Sequence, residues 1–400
     1  MRYAVDEAPA RSTIKFDPGM RGTIHLTSGN LNISKNLTLR GPGTGKLAIS
    51  STRSYVIHVI SSVSVSISDL AFKDSQIKFE DTGSNFGSFI YNDGTLSLSD
   101  SIISGNRASG RLSFVCGGGV FNAGELSLTN TIVSNNSVSG GSSTSICGGG
   151  IFNAGRLFLT NSTVSDNKAS GDTAKFICGG GILNGGILSL TNSTVSGNSA
   201  SAGSSRCSGG IYNQGGRFSL TNSTVSDNKT TYNGGGIFSS GGQITITFCT
   251  IYGNMAHEAG GISTAAANKS SDSMKVSNSI IAGNTAFNDP DISGRLTSGG
   301  YNLIQNSTGA DFVNAQTDKH LTDISGDQFP NLGIDPILQD NGGRAQLHTR
   351  THRLLQGSPA IDQIPLDACH INGISTDQRG IRRPQGKSCD IGAYEYGPAI

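Results

Sequence analysis

The chain is expected to fold as an all-β, right-handed parallel β-helix: a solenoid with three short strands per coil and a C-terminal cap. Three features of its 400 residues point there. A sequence unit recurs about every 31 residues, apolar residues alternate at period two within it, and asparagines return at fixed places. Composition agrees. Glycine numbers 56 with only 10 prolines and no Gly-X-Y period, which excludes collagen, and charged residues are 14% against a usual ~25%. A formal charge of +1 gives no electrostatic reason to expect nucleic acid or an anionic membrane as partner. No apolar run is long enough for a transmembrane helix, and the first twenty residues lack the apolar stretch of a signal peptide.

Residues 1–87 are expected to hold the N-terminal cap and first coils, and 88–304 the regular repeats. The unit is clearest in GGGVFNAGELSLTNTIVSNN from Gly117, GGGIFNAGRLFLTNSTVSDN from Gly148 and GGGILNGGILSLTNSTVSGN from Gly179, with weaker copies on both sides. Leu126 and Leu128 point one way and Ser127 and Thr129 the other, while Val120 and Val133 mark positions that stay apolar in every copy. Stacking such units in parallel at ~4.8 Å gives about nine or ten coils. Three asparagine columns follow: one through Asn92, Asn122, Asn153, Asn184 and Asn213, a second through Asn130, Asn161, Asn192 and Asn222, and a third from Asn106 to Asn284. All three are expected to stack inward as structural ladders, each amide donating to the next. Residues 305–400 are assigned to the cap.

Cys116, Cys147, Cys178 and Cys207 each stand four positions before an apolar strand residue and so form a column of their own. Parallel registry holds Cβ atoms wider than a disulfide prefers, which favours buried thiols over the pairs 116–147 and 178–207. Cys249 is also expected free, with Cys369 and Cys389 paired.

Towards the C-terminus, DPDISGRLTSGGYNLI (Asp289 to Ile304), DPILQDNGG (Asp335 to Gly343), GSPAID (Gly357 to Asp362) and TDQRGIRRPQGKSCDIGAYEY (Thr376 to Tyr396) resemble the choice-of-anchor Q family of secreted bacterial proteins. The GGGI repeats are similar to those of polymorphic outer-membrane passenger domains. The resemblance implies an exported right-handed β-helix, extracellular or on the cell surface. It supplies no catalytic motif, so function does not transfer with fold.

Chemistry therefore has to be sought residue by residue. Asp166 and Asp227 occupy one corner position two coils apart, which puts their carboxylates at ~9.6 Å, the upper end of the spacing in inverting glycosidases. Lys168 and Lys229 beside them fit a solvated charged edge equally well. His257 and Glu258 stand together in an irregular coil and form a second acid–base candidate. Asp289, Asp291 and Arg295 are the closest approach to a calcium-holding lyase cluster, but they read better as a loop cap. No histidine spacing suggests a metal, and no cofactor is expected, calcium being conceivable without a motif for it. For binding, Tyr91, Phe121, Phe152, Tyr212 and Phe238 fall at one outward position, with Leu183 completing the row. They form a strip on which sugar rings could stack, unless the inserts beside it, such as SGGSSTSI, cover them. The expected function is a binding or adhesion surface for a polysaccharide or cell-surface glycan. The alternative is a polysaccharide lyase or glycoside hydrolase. An ice- or mineral-binding Ser/Thr face is a remote third, because Phe158 interrupts the row beside its threonines.

Overall fold

The computed structural model describes residues 1–51, 55–79, 89–110, 114–141, 145–171, 176–201, 207–265, 273–313, 323–343, 349–370 and 373–397, and only the backbone of Phe79 and of 176–178. The fold is a parallel β-solenoid of about 8 turns, with 47% strand and 4% helix. The chain divides into two compact units, Met1–Leu188 with Asn198–Cys207, and Ser189–Gly197 with Ser208–Ile400.

In the first unit each coil runs through three faces. Val120–Asn122, Glu125–Thr129 and Ile132–Ser134 make up one coil, and each pairs in parallel, without slippage, with its counterpart in the next: Val120 with Ile151, Leu126 with Leu157, Val133 with Val164. Val120, Leu126, Leu128 and Val133 are all fully buried. Burying each contributes roughly 1.5–3 kcal/mol, and a one-residue slip would turn every one of them outward. Glycine opens the coil because backbones touch there: a Cβ on Gly118 would lie 2.2 Å from the carbonyl oxygen of Gly149.

Where the inserts are described, their residues include strands that stack from coil to coil. Arg107–Gly110, Ser137–Gly140, Lys168–Ser170 and Ser199–Ser201 form one additional parallel ladder, and Phe114–Cys116, Ser145–Cys147 and Phe176–Cys178 another. Small apolar side chains fill the space inside this arm: Ala108, Val138, Ala169, Ala200, Val115 and Ile146, all at most 2% exposed. Cys116 and Cys147 are disulfide-bonded across neighbouring rungs, with Cα atoms 4.5 Å apart. That corrects the expectation of free thiols for Cys116 and Cys147, whose Cα separation falls inside the ~4.4–6.8 Å that a disulfide spans. The side chain of Cys178 lies outside the described residues, and Cys207 is buried.

Two asparagine columns are interior ladders. Asn92, Asn122 and Asn153 each donate to the next coil's amide oxygen at 2.7 Å, as do Asn106, Asn136 and Asn167 at 2.8 to 3.0 Å. The column Asn130, Asn161, Asn192, Asn222 is different. These residues turn the corner in the left-handed region, with φ between 46° and 50°, and their side-chain oxygens lack a hydrogen-bond partner. Asn130 donates to Asp100 instead. The interior ladder at that corner belongs to the following residue: the Thr131 amide donates to Ser162 Oγ, Ser193 to Ser223 and Cys249 to Ser279. A left-handed corner residue points its own side chain away and hands the inward position to its neighbour.

In the second unit the coils continue through Ile211–Asn213, Arg217–Thr221 and Thr224–Ser226 as far as Leu303–Ile304 and Ile324–Ser325. The residues that follow do not simply close the end. They fold back along the outward face of the solenoid. Gln378 donates to Thr194 Oγ1 and accepts from Thr224, Asn222 donates to the Thr376 carbonyl, and the Ala393 amide reaches Thr250. A second apolar core forms between them from Phe248, Ile280, Leu303, Leu332, Ile334, Leu354, Ile364 and Ile391, together with the bonded pair Cys369–Cys389. The solenoid has about 8 turns where nine or ten were expected, with this lateral module folded against it.

Candidate functional site

The outward aromatic strip is not an open platform. Phe121, Tyr212 and Phe238 are 4%, 4% and 2% exposed, and Tyr91 and Phe152 are half-buried. Rung spacing is the cause. Tyr91 stacks on Phe121 and Phe121 on Phe152 at 4.9 Å between centroids, and Tyr212 on Phe238 at 5.2 Å, so each ring's faces are closed by its neighbours. A sugar needs a free face, and these rings have only edges to offer. At the strip's beginning Tyr91 meets Tyr55 and His58, and His58 Nε2 lies 3.1 Å from the Asp93 carboxylate. Burial, with Asp93 beside it, raises the Tyr91 phenol above its ordinary value.

Asp166 and Asp227 fall in different compact units, and both are exposed corner residues at φ 57°. Gly105, Asn135, Gly197, Gly253 and Gly283 turn the same corner of other coils with φ between 56° and 69°. The position selects residues that tolerate the left-handed region, which accounts for aspartate without any catalytic task. Asp227 has one further role. It accepts from Ser226 Oγ at 2.8 Å, Ser226 meets His352 Nε2 at 2.7 Å, and His352 Nδ1 contacts the Asp335 carbonyl at 2.8 Å. Ser226 and His352 are 0% and 1% exposed, so this chain fastens the lateral module to the solenoid and presents no nucleophile to solvent. Burial lowers the His352 pKa.

Asp291 likewise serves the fold. Its carboxylate ends the third ladder, accepting from Asn284 Nδ2 and from the Asn306 amide, both at 2.8 Å. Burial pushes its pKa up to about 6. Asp289 accepts from Ser293, and Arg295 pairs loosely with Asp311. Among the described residues no group of three or more His, Cys, Asp or Glu is placed to hold a metal.

The exposed cluster lies at the corner that carries His257 and Glu258. Bridges pair Asn233 with Glu258 and Glu258 with Asn288, and Lys229 with Met255 and Met255 with Thr285. The residues preceding the first set, Tyr232, His257 and Phe287, therefore form a row. It is fixed by the His257 amide on the Tyr232 carbonyl at 2.8 Å and the Phe287 amide on the His257 carbonyl at 2.9 Å. His257 stacks on Phe287 at 5.8 Å with a 22° tilt. Phe287 is 82% exposed and Met255 43%. Glu258 accepts from Asn233 Nδ2 at 3.2 Å. His257 and Glu258 thus engage different neighbours, a ring and an amide, and together make a hydrogen-bonding edge beside an open aromatic face. Phe287 and Tyr232 were missed in the sequence because the irregular coils there obscure the repeat that aligns them.

No family model and no curated protein matches the chain. Among solved structures, the crystal structure of pectate lyase Pel9A aligns with 98% of this chain and 90% of its own, at a TM-score of 0.44 and 12% identity. A likeness at that level carries no argument about activity. No described helix is long and apolar enough to cross a membrane.

Proposed function

We propose that the protein is an extracellular or cell-surface binder of glycans, with the Tyr232–His257–Phe287 corner as its platform. One observation carries the reading: a phenylalanine left 82% exposed in a row with two other ring-bearing residues, flanked by Asn233, Glu258 and Asn288. The exposed His257 and Phe287 rings, with Met255, leave apolar surface that water solvates poorly, and a sugar's C–H face covers such surface while its hydroxyls reach the amides and carboxylate alongside. The disulfides Cys116–Cys147 and Cys369–Cys389 support an oxidising compartment.

The test is a glycan array followed by titration of the retained glycan. Phe287→Ala should weaken binding about fivefold or more, the equivalent of roughly 1 kcal/mol. Glu258→Gln should weaken it less. Release of oligosaccharides from any polymer, abolished in Glu258→Gln, would replace this reading with the lyase or hydrolase alternative. Retention that Phe287→Ala leaves untouched would remove the platform.

A further inference from the structure

We infer a second saccharide site, on the lateral module, formed by two adjoining hollows of about 580 and 400 Å³. Both are lined by Arg353, Gln385, Tyr394 and Gly397, so they meet across a common wall. The larger adds Tyr396, Ile361 and Asp362; the smaller adds Gln339, Asp340 and Asn341. The saccharide class is shared with the corner platform and rests on that reading, whereas the location is independent of it.

The wall is held in place by largely buried charge. Arg383 and Glu395 form an ion pair at 2.7 Å with both side chains fully buried, and the Glu395 carboxylate also accepts the Gln385 amide. Arg379 lies 3.5 Å over the Tyr394 ring and donates to Asp377, to the Asn341 carbonyl and to the Glu395 carbonyl. Buried ion pairs contribute little net stability, but losing one partner is costly, so they fix the backbone around the hollows in one arrangement. Rigid placement of a few polar groups around an aromatic wall is what a small-ligand site requires.

Hydrogen-bond polarity then narrows the ligand. Gln339, Asn341 and Gln385 spend amide N–H donors internally, on Asp335, the Thr351 carbonyl and the Arg382 carbonyl, so that acceptor oxygens are the larger part of what they offer a ligand. Asp340 and Asp362 add carboxylates, and Arg353, half exposed, pairs through its Nε with Asp335 at 2.8 Å. Arg379, which also lines the smaller hollow, is paired with Asp377, so each arginine of the lining has a carboxylate partner while Asp340 and Asp362 add negative charge beyond those pairs; the lining suits hydroxyl donors and disfavours carboxylates. Two adjoining hollows take two rings. The ligand is a neutral disaccharide unit and not a uronate.

Chemical-shift perturbation with cellobiose, lactose and N,N′-diacetylchitobiose, with digalacturonate as the acidic comparison, tests this. At least one neutral probe should shift resonances of Gln385 and Tyr396, and digalacturonate should bind at least tenfold more weakly. Gln385→Ala should weaken the neutral probe severalfold at unchanged melting temperature. Asp362→Asn, which tolerates that residue's φ of 56°, should narrow the gap between neutral and acidic probes. No response to any neutral probe, or equal binding of digalacturonate, overturns the proposal. A response abolished by Phe287→Ala and untouched by Gln385→Ala places the sugar at the corner, which overturns this site and leaves the platform standing.

Discussion

Asp291 shows how much one terminal residue can govern. An amide ladder passes each NH₂ to the next oxygen, and its last member needs an acceptor that asks for nothing back; a carboxylate meets that need. Asp291 is 1% exposed and its pKa is raised to about 6, above the unfolded value near ~3.9. Its contribution to stability is therefore fully present below the unfolded value and is lost as pH rises through about 6. Asp390, raised to about 7 by burial and by Glu395, acts in the same direction. His352 opposes them: with its pKa lowered, its contribution is present above ~6.5 and is lost as pH falls through the folded value. Asp291→Asn should flatten the loss between pH 4 and 6 while costing about 1–3 kcal/mol overall, since its new NH₂ would face the Asn306 amide. Urea midpoints at pH 4, 5.5 and 7.5 measure both effects. The acidic cluster around Asp291 was visible in the sequence, but its role as ladder terminator was not, because only the coil geometry brings Asn284 to it.

At the scale of the element, the columns were legible wherever alternation and period coincided, as at Leu126, Val133 and Asn122. They failed where one corner residue changes which neighbour faces inward, as at Asn130 and Thr131. Cys249 illustrates the consequence. It occupies the hydroxyl column between Ser223 and Ser279, with its thiol on the carbonyls of Leu220 and Thr247, and burial pushes its pKa up to about 12. Cys249→Ser should keep the urea midpoint within about 1 kcal/mol of the parent protein, because serine already performs this task one coil away on each side. Thiol labelling of denatured, unreduced protein should modify Cys249 and leave Cys116, Cys147, Cys369 and Cys389 unlabelled. Cys116→Ser should cost roughly 3.7 kcal/mol, the chain-entropy value for a loop closed over 31 residues. The insert strands escaped the sequence reading for a related reason: Ala108, Val138 and Ala169 alternate with Ser and Gly, a pattern that also describes loops.

At the scale of the molecule, the C-terminal hundred residues mattered most and were least legible as architecture. Their motifs stood out, yet Thr194, Thr224 and Ser226, which receive them, look in sequence like ordinary solvent-facing strand positions. The ladders also carry a direction. Within a ladder each amide passes a hydrogen bond to the next coil's oxygen; Asn92, first of its column, leaves its own oxygen unclaimed, and in the other column a carboxylate, Asp291, follows Asn284 as the last acceptor. An interior rung is thus interchangeable with a copy of itself, and only the two ends are unique. Chain length becomes a heritable variable that recombination between repeats can lengthen or shorten without searching for a new core. Inserting a second copy of residues 120–150, its cysteine replaced by serine, should yield a folded protein whose urea midpoint equals or exceeds the parent's. Collapse of the fold on that insertion would mean that the rungs are less equivalent than their hydrogen bonds imply.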